Sequence, residues 1–202
     1  MERRPRRRPS RPARQLARRI LVVTEGTRTE PQYVEGLNKY LRSKGATACV
    51  KSFAVGKDPL KVVQKCIVER DEAVRNGKRF DDCVCLVDVD EHHALSAAIS
   101  LAEQEEIQLL VSNLKFEVWL RWHAERKRAP LTSNQLDELV TKLGLVKKKI
   151  LSPTFPFDGV HDACALARTS DPDMRPGRKV PNPSSAMPIL VDLLQGNQTQ
   201  GN

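Results

Sequence analysis

Apolar runs and stretches of helical periodicity alternate along the first two thirds of the chain. Four apolar or partly apolar runs predict strands, at 19–25, 47–55, 82–90 and 107–113. Each is followed by residues whose apolar positions recur at the spacing of a helix buried on one side, over 29–45, 58–77, 93–106 and 115–128. This alternation predicts an α/β fold, with a mainly parallel sheet and helices on both of its faces.

The ends of the first two predicted helices carry recognisable signals. Thr29 is expected to cap the first helix, and Gly45 to end it. Asp58 is expected to cap the second helix, with Pro59 at its first position and Gly77 at its end.

The pattern changes after Pro130. A helix capped at Thr132 or Ser133 is predicted first, then a loop over 147–159, a helix over 158–169, a proline-rich loop over 170–185 and a last helix over 186–194. We therefore expect three parts: an N-terminal tail (1–19), an α/β core (20–128) and a helical extension (129–202) that packs on the core and is not a separate domain.

The net charge of +9 is concentrated at the N-terminus. Residues 1–19 contain nine arginines and one acid, and so carry eight of the nine net positive charges. Prolines interrupt this segment, so we expect it to be disordered in isolation. It could attract phosphate groups without regard to sequence, or it could be a solvated tail with no specific role.

Cysteine content and hydropathy indicate the cellular compartment of the protein. The five cysteines are odd in number and contain no CxxC pair, which favours reduced cysteines in a core. Cys83 and Cys85 should share one face of a buried strand. No apolar run approaches the roughly 20 residues of a membrane span, and the N-terminus has no secretory apolar segment. We expect a cytoplasmic protein without a membrane partner.

Acidic residues end two of the predicted strands. Glu25 and Gly26 follow the first strand, and Asp88 and Asp90 end the third. The carboxyl ends of parallel strands meet at one edge of a sheet, so these carboxylates should lie together. Such hard oxygen donors suit Mg²⁺ or Mn²⁺, and Gly26 would let the backbone approach a phosphate closely. The alternative for the two aspartates is a helix cap with a solvated neighbour.

Several motifs resemble known families. A strand ending in Glu-Gly, followed by a later strand ending in DxD, resembles the Toprim domain of topoisomerases, primases and some nucleases. The stretches "ILVVTEGTRTEPQYVEGL", "VDVDEH", "SNLKFEVWLRWH" and "PNPSSAMPILVDLL", in that order, resemble the RloB-like family of bacterial defence proteins over about residues 20–194. Where that family usually has Asn-Pro, this chain has Asn113-Leu114.

The resemblance implies a Toprim-like nuclease fold, dependence on Mg²⁺ and a role in resisting phage, often beside an ATPase partner. Glu25 matches the Toprim glutamate, which is a general acid–base or metal ligand, while Asp88 and Asp90 match the metal-binding pair. Glu117, near the start of the fourth helix, could complete a second metal position or be a solvated carboxylate. His92 could orient a phosphate or the hydrolytic water, or lie on the surface.

Loop residues that should border the same edge complete the predicted site. Asn113 could bind substrate or cap the following helix, whereas Trp119 and Trp122 are expected in the core. Possible phosphate contacts come from three cations: Arg28, Lys57 and Lys115.

The leading hypothesis is a metal-dependent nuclease that hydrolyses RNA or DNA. A second is a non-catalytic nucleic-acid-binding or sensor subunit that acts within a complex. Since the chain has no GxxxxGK[ST] motif, ATP hydrolysis would come from the partner. A dehalogenase-type phosphatase and a nucleotidyl transferase are weaker alternatives, and a homo-oligomer is compatible with the sequence.

Overall fold

A computed structural model describes residues 17–56, 58–89 and 94–196 of the chain. Its strands are β1 (Arg19–Thr24), β2 (Cys49–Ala54), β3 (Asp82–Asp88), β4 (Gln108–Asn113), β5 (Val146–Lys147), β6 (Ile150–Leu151) and β7 (Ser184–Ser185). They form a five-stranded sheet in the order β2-β1-β3-β4-β7 and a separate two-stranded hairpin, β5-β6. The first four are parallel to one another, and β7 is antiparallel to β4. The predicted α/β class with a mostly parallel sheet is confirmed.

Helices flank the sheet and follow its strands in the predicted order. They are α1 (Thr29–Ser43), α2 (Pro59–Arg75), α3 (Ala94–Gln104), α4 (Glu117–Trp122), α5 (Ser133–Lys142), α6 (Val160–Ser170) and α7 (Met187–Gln195). A short 3-10 helix, Phe157–Gly159, precedes α6.

The central strands are buried on both faces, because successive side chains point to opposite sides of the sheet. In β1, Ile20 and Val22 belong to a core shared with α1 and α4–α7. Leu21 and Val23 belong to a second core, shared with α2 and α3. Two separate cores on one sheet explain why the strand sequences are apolar almost throughout.

The helix-end predictions have mixed outcomes. The Asp58 side chain accepts a hydrogen bond from the backbone N–H of Lys61, and Pro59 opens α2, as predicted. Gly45 and Gly77 have positive φ angles after α1 and α2. The prediction for Thr29 is wrong, because it is the first residue of α1 and its hydroxyl does not cap the helix. That hydroxyl donates instead to the carbonyl of Lys149.

Helix α4 is shorter than the predicted helix over 115–128. It ends at Trp122, and side chains of its last turn bind backbone carbonyls of the segment that follows. The indole N–H of Trp122 donates to the Lys127 carbonyl, and the Arg121 guanidinium donates to the Ala129 carbonyl. Both tryptophans of α4 are buried, at 0% and 1% exposure, which confirms that they are core residues.

The region after residue 129 shares a core with the α/β region. Buried residues of α5, α6 and α7 form one cluster with those of β1, α1 and α4. The chain also returns to the sheet, because β7 pairs with the end of β4. Residues 147–159, predicted to be a loop, contain the tip and second strand of the β5-β6 hairpin.

The predicted N-terminal tail is shorter than the sequence indicated. The folded part begins before the predicted end of the N-terminal tail, since the Arg18 guanidinium pairs with Asp82 and Arg19 opens β1. The rest of the tail lies outside the described residues.

All five cysteines are free thiols, and Cys83 and Cys85 pack on the same face of β3. Within the described ranges, every helix is too short or too polar to cross a membrane.

Candidate active site

The carboxyl ends of β1 and β3 lie side by side and carry Glu25 and Asp88. The two strands are hydrogen-bonded in parallel register, with Thr24 opposite Leu86. The Glu25 backbone N–H donates to the Leu86 carbonyl over 3.0 Å. The Glu25 carboxylate then reaches across and accepts a hydrogen bond from the Asp88 backbone N–H, over 3.2 Å. Parallel pairing therefore brings together two residues that are 63 positions apart.

A cavity of about 400 Å³ opens at this edge of the sheet. Its lining contains five carboxylates and four cations: Glu25, Glu30, Asp88, Glu117, Asp137, Arg28, Lys115, Lys148 and Lys149. The walls come from the β1–α1 loop, the ends of β1 and β3, the start of α4, α5 and the tip of the β5-β6 hairpin. The cavity is thus built mostly from loops at the carboxyl ends of parallel strands, where α/β proteins bind ligands.

Glu30 is a member of this site that the sequence did not reveal. Its carboxylate accepts a hydrogen bond from the Gly26 backbone N–H over 3.1 Å. A Cβ atom at position 26 would lie within 2.1 Å of the Glu30 carboxylate carbon. Gly26 therefore leaves room for an acidic side chain of its own chain, and its N–H is bonded to that side chain rather than open to a phosphate.

The two glutamates contributed by helices have altered acidity. Burial raises the pKa of Glu30, and the Glu117 carboxylate raises it further, while backbone N–H groups and Lys149 oppose the change. Burial likewise raises the pKa of Glu117, with Lys115 and Lys149 acting against it and Asp137 with it. Both carboxyls therefore hold a proton at higher pH than an exposed glutamate does.

The cations of the cavity differ in how they are engaged. The Lys115 ammonium donates to Asp137 over 2.6 Å, so this predicted phosphate contact is paired with an acid. Arg28 is exposed in the loop before α1. Lys148 and Lys149 are exposed at the hairpin tip, and no carboxylate of the described residues pairs with either ammonium.

Asn113 makes a structural contact at the end of β4. Its side-chain amide donates to the Val180 carbonyl over 2.8 Å, which ties the end of β4 to the proline-rich loop. The residue before α4 is Phe116, so Asn113 does not cap that helix. Three other candidates, Lys57, Asp90 and His92, lie outside the described residues.

The donor set of the cavity fits a hard divalent cation, because the described residues that line it offer carboxylate oxygens and no thiolate or imidazole. Among the residues that the structure describes, no three acidic, histidine or cysteine side chains are close enough together to hold an ion. Asp90, the third acid of the predicted set, lies just beyond the described end of β3.

Comparison with known proteins identifies the family. The model of the RloB-like protein family matches residues 20–194, which is most of the chain. The chain belongs to the RloB-like protein family, as its motifs indicated. No curated protein and no solved structure matches it.

Proposed function

We propose that this RloB-like protein is a metal-dependent nuclease that hydrolyses phosphodiester bonds of RNA or DNA in bacterial anti-phage defence. The observation that carries the proposal is the pairing of Glu25 with Asp88 at adjacent parallel strand ends, in a cavity lined by three further carboxylates. The four lysine and arginine cations of the lining do not outnumber its five carboxylates, so a bound divalent cation would reduce the repulsion between the acids.

The proposed ligands of a Mg²⁺ or Mn²⁺ ion are Glu25, Asp88, Asp90 and Glu117; of these, Glu25, Asp88 and Glu117 line the same cavity. A divalent cation there would supply the positive charge that phosphodiester hydrolysis needs at the reacting phosphate. The Asp88 N–H orients the Glu25 carboxylate through the 3.2 Å hydrogen bond. Because burial raises the pKa of Glu117, its carboxylate accepts a proton more readily than an exposed glutamate does.

Different elements of the fold hold Glu25 and Asp88 on one side and Glu117 on the other. Asp88 ends β3 and Glu25 directly follows β1, and the hydrogen bond from the Glu25 backbone N–H to the Leu86 carbonyl continues the pairing of these two inner strands, which fixes both backbones. Glu117 lies in the first turn of α4, and the adjacent Val118, Trp119 and Leu120 are buried, which fixes the helix that carries it. A site mounted on packed elements keeps its geometry while substrate binds.

The test is a cleavage assay on labelled RNA and DNA with Mg²⁺ or Mn²⁺, using full-length protein alone and with the ATPase partner that we propose for it. Asp88→Asn and Glu25→Gln should each reduce cleavage on the order of 100-fold or more, because charge stabilisation at the phosphate is lost. Nucleic-acid affinity should hold or rise, since each change removes a repulsive charge. Glu103→Gln, an exposed change on α3 outside the cavity, is the matched control.

Persistent cleavage by the Glu25→Gln/Asp88→Asn double variant would refute the proposed site. If the wild-type protein binds nucleic acid but does not cleave it under any of these conditions, the alternative of a binding or sensor subunit takes its place.

A further inference from the structure

The tip of the β5-β6 hairpin has an unusual backbone. Lys148 and Lys149 are the two loop residues between the paired strands, and their φ angles are +52° and +60°. Two successive positive φ angles define the type I′ turn, which normally contains Asn-Gly because glycine and asparagine tolerate that conformation. Lysine tolerates it poorly, because its Cβ crowds the following carbonyl. The local backbone energy therefore does not account for lysine at either position.

The hairpin tip is attached to the helix that carries Glu30. The Thr29 hydroxyl donates to the Lys149 carbonyl over 3.1 Å. The backbone N–H of Leu151 donates to the side-chain carbonyl of Gln32 over 2.8 Å. These contacts join residues about 120 positions apart, and they hold the tip in place on both sides of Glu30.

Both lysines line the acidic cavity. The Lys149 ammonium is near enough to Glu30 and Glu117 to lower the pKa of each, against the larger effect of burial. Lys147, one residue earlier, is exposed and does not line the cavity. The turn thus directs two of three successive lysines toward the acidic residues.

A phosphate that approaches this cavity meets five carboxylates, so its binding requires positive charge nearby. Lys115 is paired with Asp137, so that carboxylate offsets part of its positive charge. The two hairpin lysines have no such partner among the described carboxylates, which leaves their ammonium groups able to contact a ligand. Backbone strain at a site of this kind is commonly retained for function.

We propose that Lys148 and Lys149 form a phosphate clamp, which binds the backbone of a nucleic-acid strand beside the acidic residues. The clamp extends the proposed function, since it positions the strand for hydrolysis at Glu25 and Asp88, but it acts through binding alone and can be tested without cleavage. The ligand feature it recognises is the phosphodiester, which RNA and DNA share.

The first experiment measures binding of fluorescein-labelled RNA, single-stranded DNA and duplex DNA by the full-length protein in EDTA, by fluorescence anisotropy. Lys148→Gln/Lys149→Gln should weaken binding on the order of tenfold at physiological salt. The slope of log affinity against log salt should fall by about 1.4 for single strands and 1.8 for duplex, as expected for two lost phosphate contacts. Lys142→Gln/Lys147→Gln removes the same charge from exposed positions outside the cavity and should change neither quantity to that extent.

A second variant separates a binding role from a structural one. Lys148→Asn/Lys149→Gly installs the residues that a type I′ turn prefers, so the thermal midpoint should rise by roughly 2–6 °C. Binding should nevertheless weaken as it does in the glutamine variant. Lys148→Arg/Lys149→Arg, which keeps both charges, should retain most of the affinity.

The outcomes distinguish this inference from the proposed nuclease activity. If the glutamine and Asn-Gly variants bind all three probes as tightly as the control variant, with the same salt slope, the clamp is refuted while the cleavage result stands. Loss of binding in these variants of a protein that never cleaves supports the clamp and refutes the nuclease. A wild-type protein that binds none of the probes refutes the clamp, and the cleavage assay with metal and partner then decides the nuclease proposal by itself.

Discussion

Protonation of His123 should destabilise the fold in mildly acidic solution. His123 follows α4 directly and is 7% exposed. Its Nδ1 lies 3.0 Å from the Pro156 carbonyl, which can only accept, so Nδ1 carries the proton. Its Nε2 lies 3.0 Å from the Tyr33 hydroxyl and accepts from it. A neutral ring satisfies both contacts, whereas a protonated ring would present a second N–H to the Tyr33 oxygen.

The size of the effect follows from the acidity of the buried ring. Burial lowers the pKa of His123 to about 4, against smaller opposing effects of the Pro156 carbonyl and Asp158. In the unfolded chain the pKa is about 6.5. Between these values the unfolded state binds more protons, so stability is full above about pH 6.5 and falls as the pH drops toward 4. The loss relative to pH 7.5 is about 2 kcal/mol at pH 5 and approaches about 3 kcal/mol at lower pH.

Urea unfolding at pH 7.5 and pH 5 measures this difference. His123→Gln cannot titrate, so it should start from lower stability but lose about 2 kcal/mol less than wild type between the two pH values. Glu30 and Glu117, whose pKa values are raised, act with the opposite sign, because the folded state holds their protons more tightly. They act in both proteins, so the comparison isolates the histidine.

His161→Gln, at an exposed position of α6, is the matched control and should keep the wild-type pH dependence. The reasoning is refuted if wild type and His123→Gln lose the same stability between pH 7.5 and pH 5. An NMR titration of the wild-type imidazole provides an independent reading, and a midpoint near 6.5 would refute it as well.

Two further predictions concern packing and charge. Gly159→Ala should destabilise the protein by about 1–3 kcal/mol in urea unfolding, because a Cβ atom there would lie 2.4 Å from the His123 carbonyl oxygen. An unchanged free energy of unfolding would show that the segments that carry Gly159 and His123 can move apart without loss of stability. Deletion of residues 1–16, which spares the Arg18–Asp82 pair, should weaken nucleic-acid binding and flatten its salt dependence without lowering the thermal midpoint. Equal affinity and salt slope in the deleted protein would assign the arginines no part in binding.

The sequence by itself determined the order of the elements and the strand ends that carry acids. Both are local properties, since strand and helix periodicities are written in neighbouring residues. The pairing of Glu25 with Asp88 could also be anticipated, because parallel strands place their carboxyl ends at one edge. The capping role of Asp58 is likewise local, as its partner is three residues away.

Only the tertiary structure decided which distant residues join that edge. Glu30 has the sequence signature of an ordinary first-turn acid, and its place in the site depends on the room left by Gly26. Lys148 and Lys149 reach the cavity because Thr29 and Gln32 hold a hairpin that lies about 120 residues away along the chain. The Lys-Lys tip also lacks the Asn-Gly signal that predicts a hairpin from sequence. Contacts of this kind depend on how whole elements pack together, and that packing cannot be inferred from a local sequence pattern.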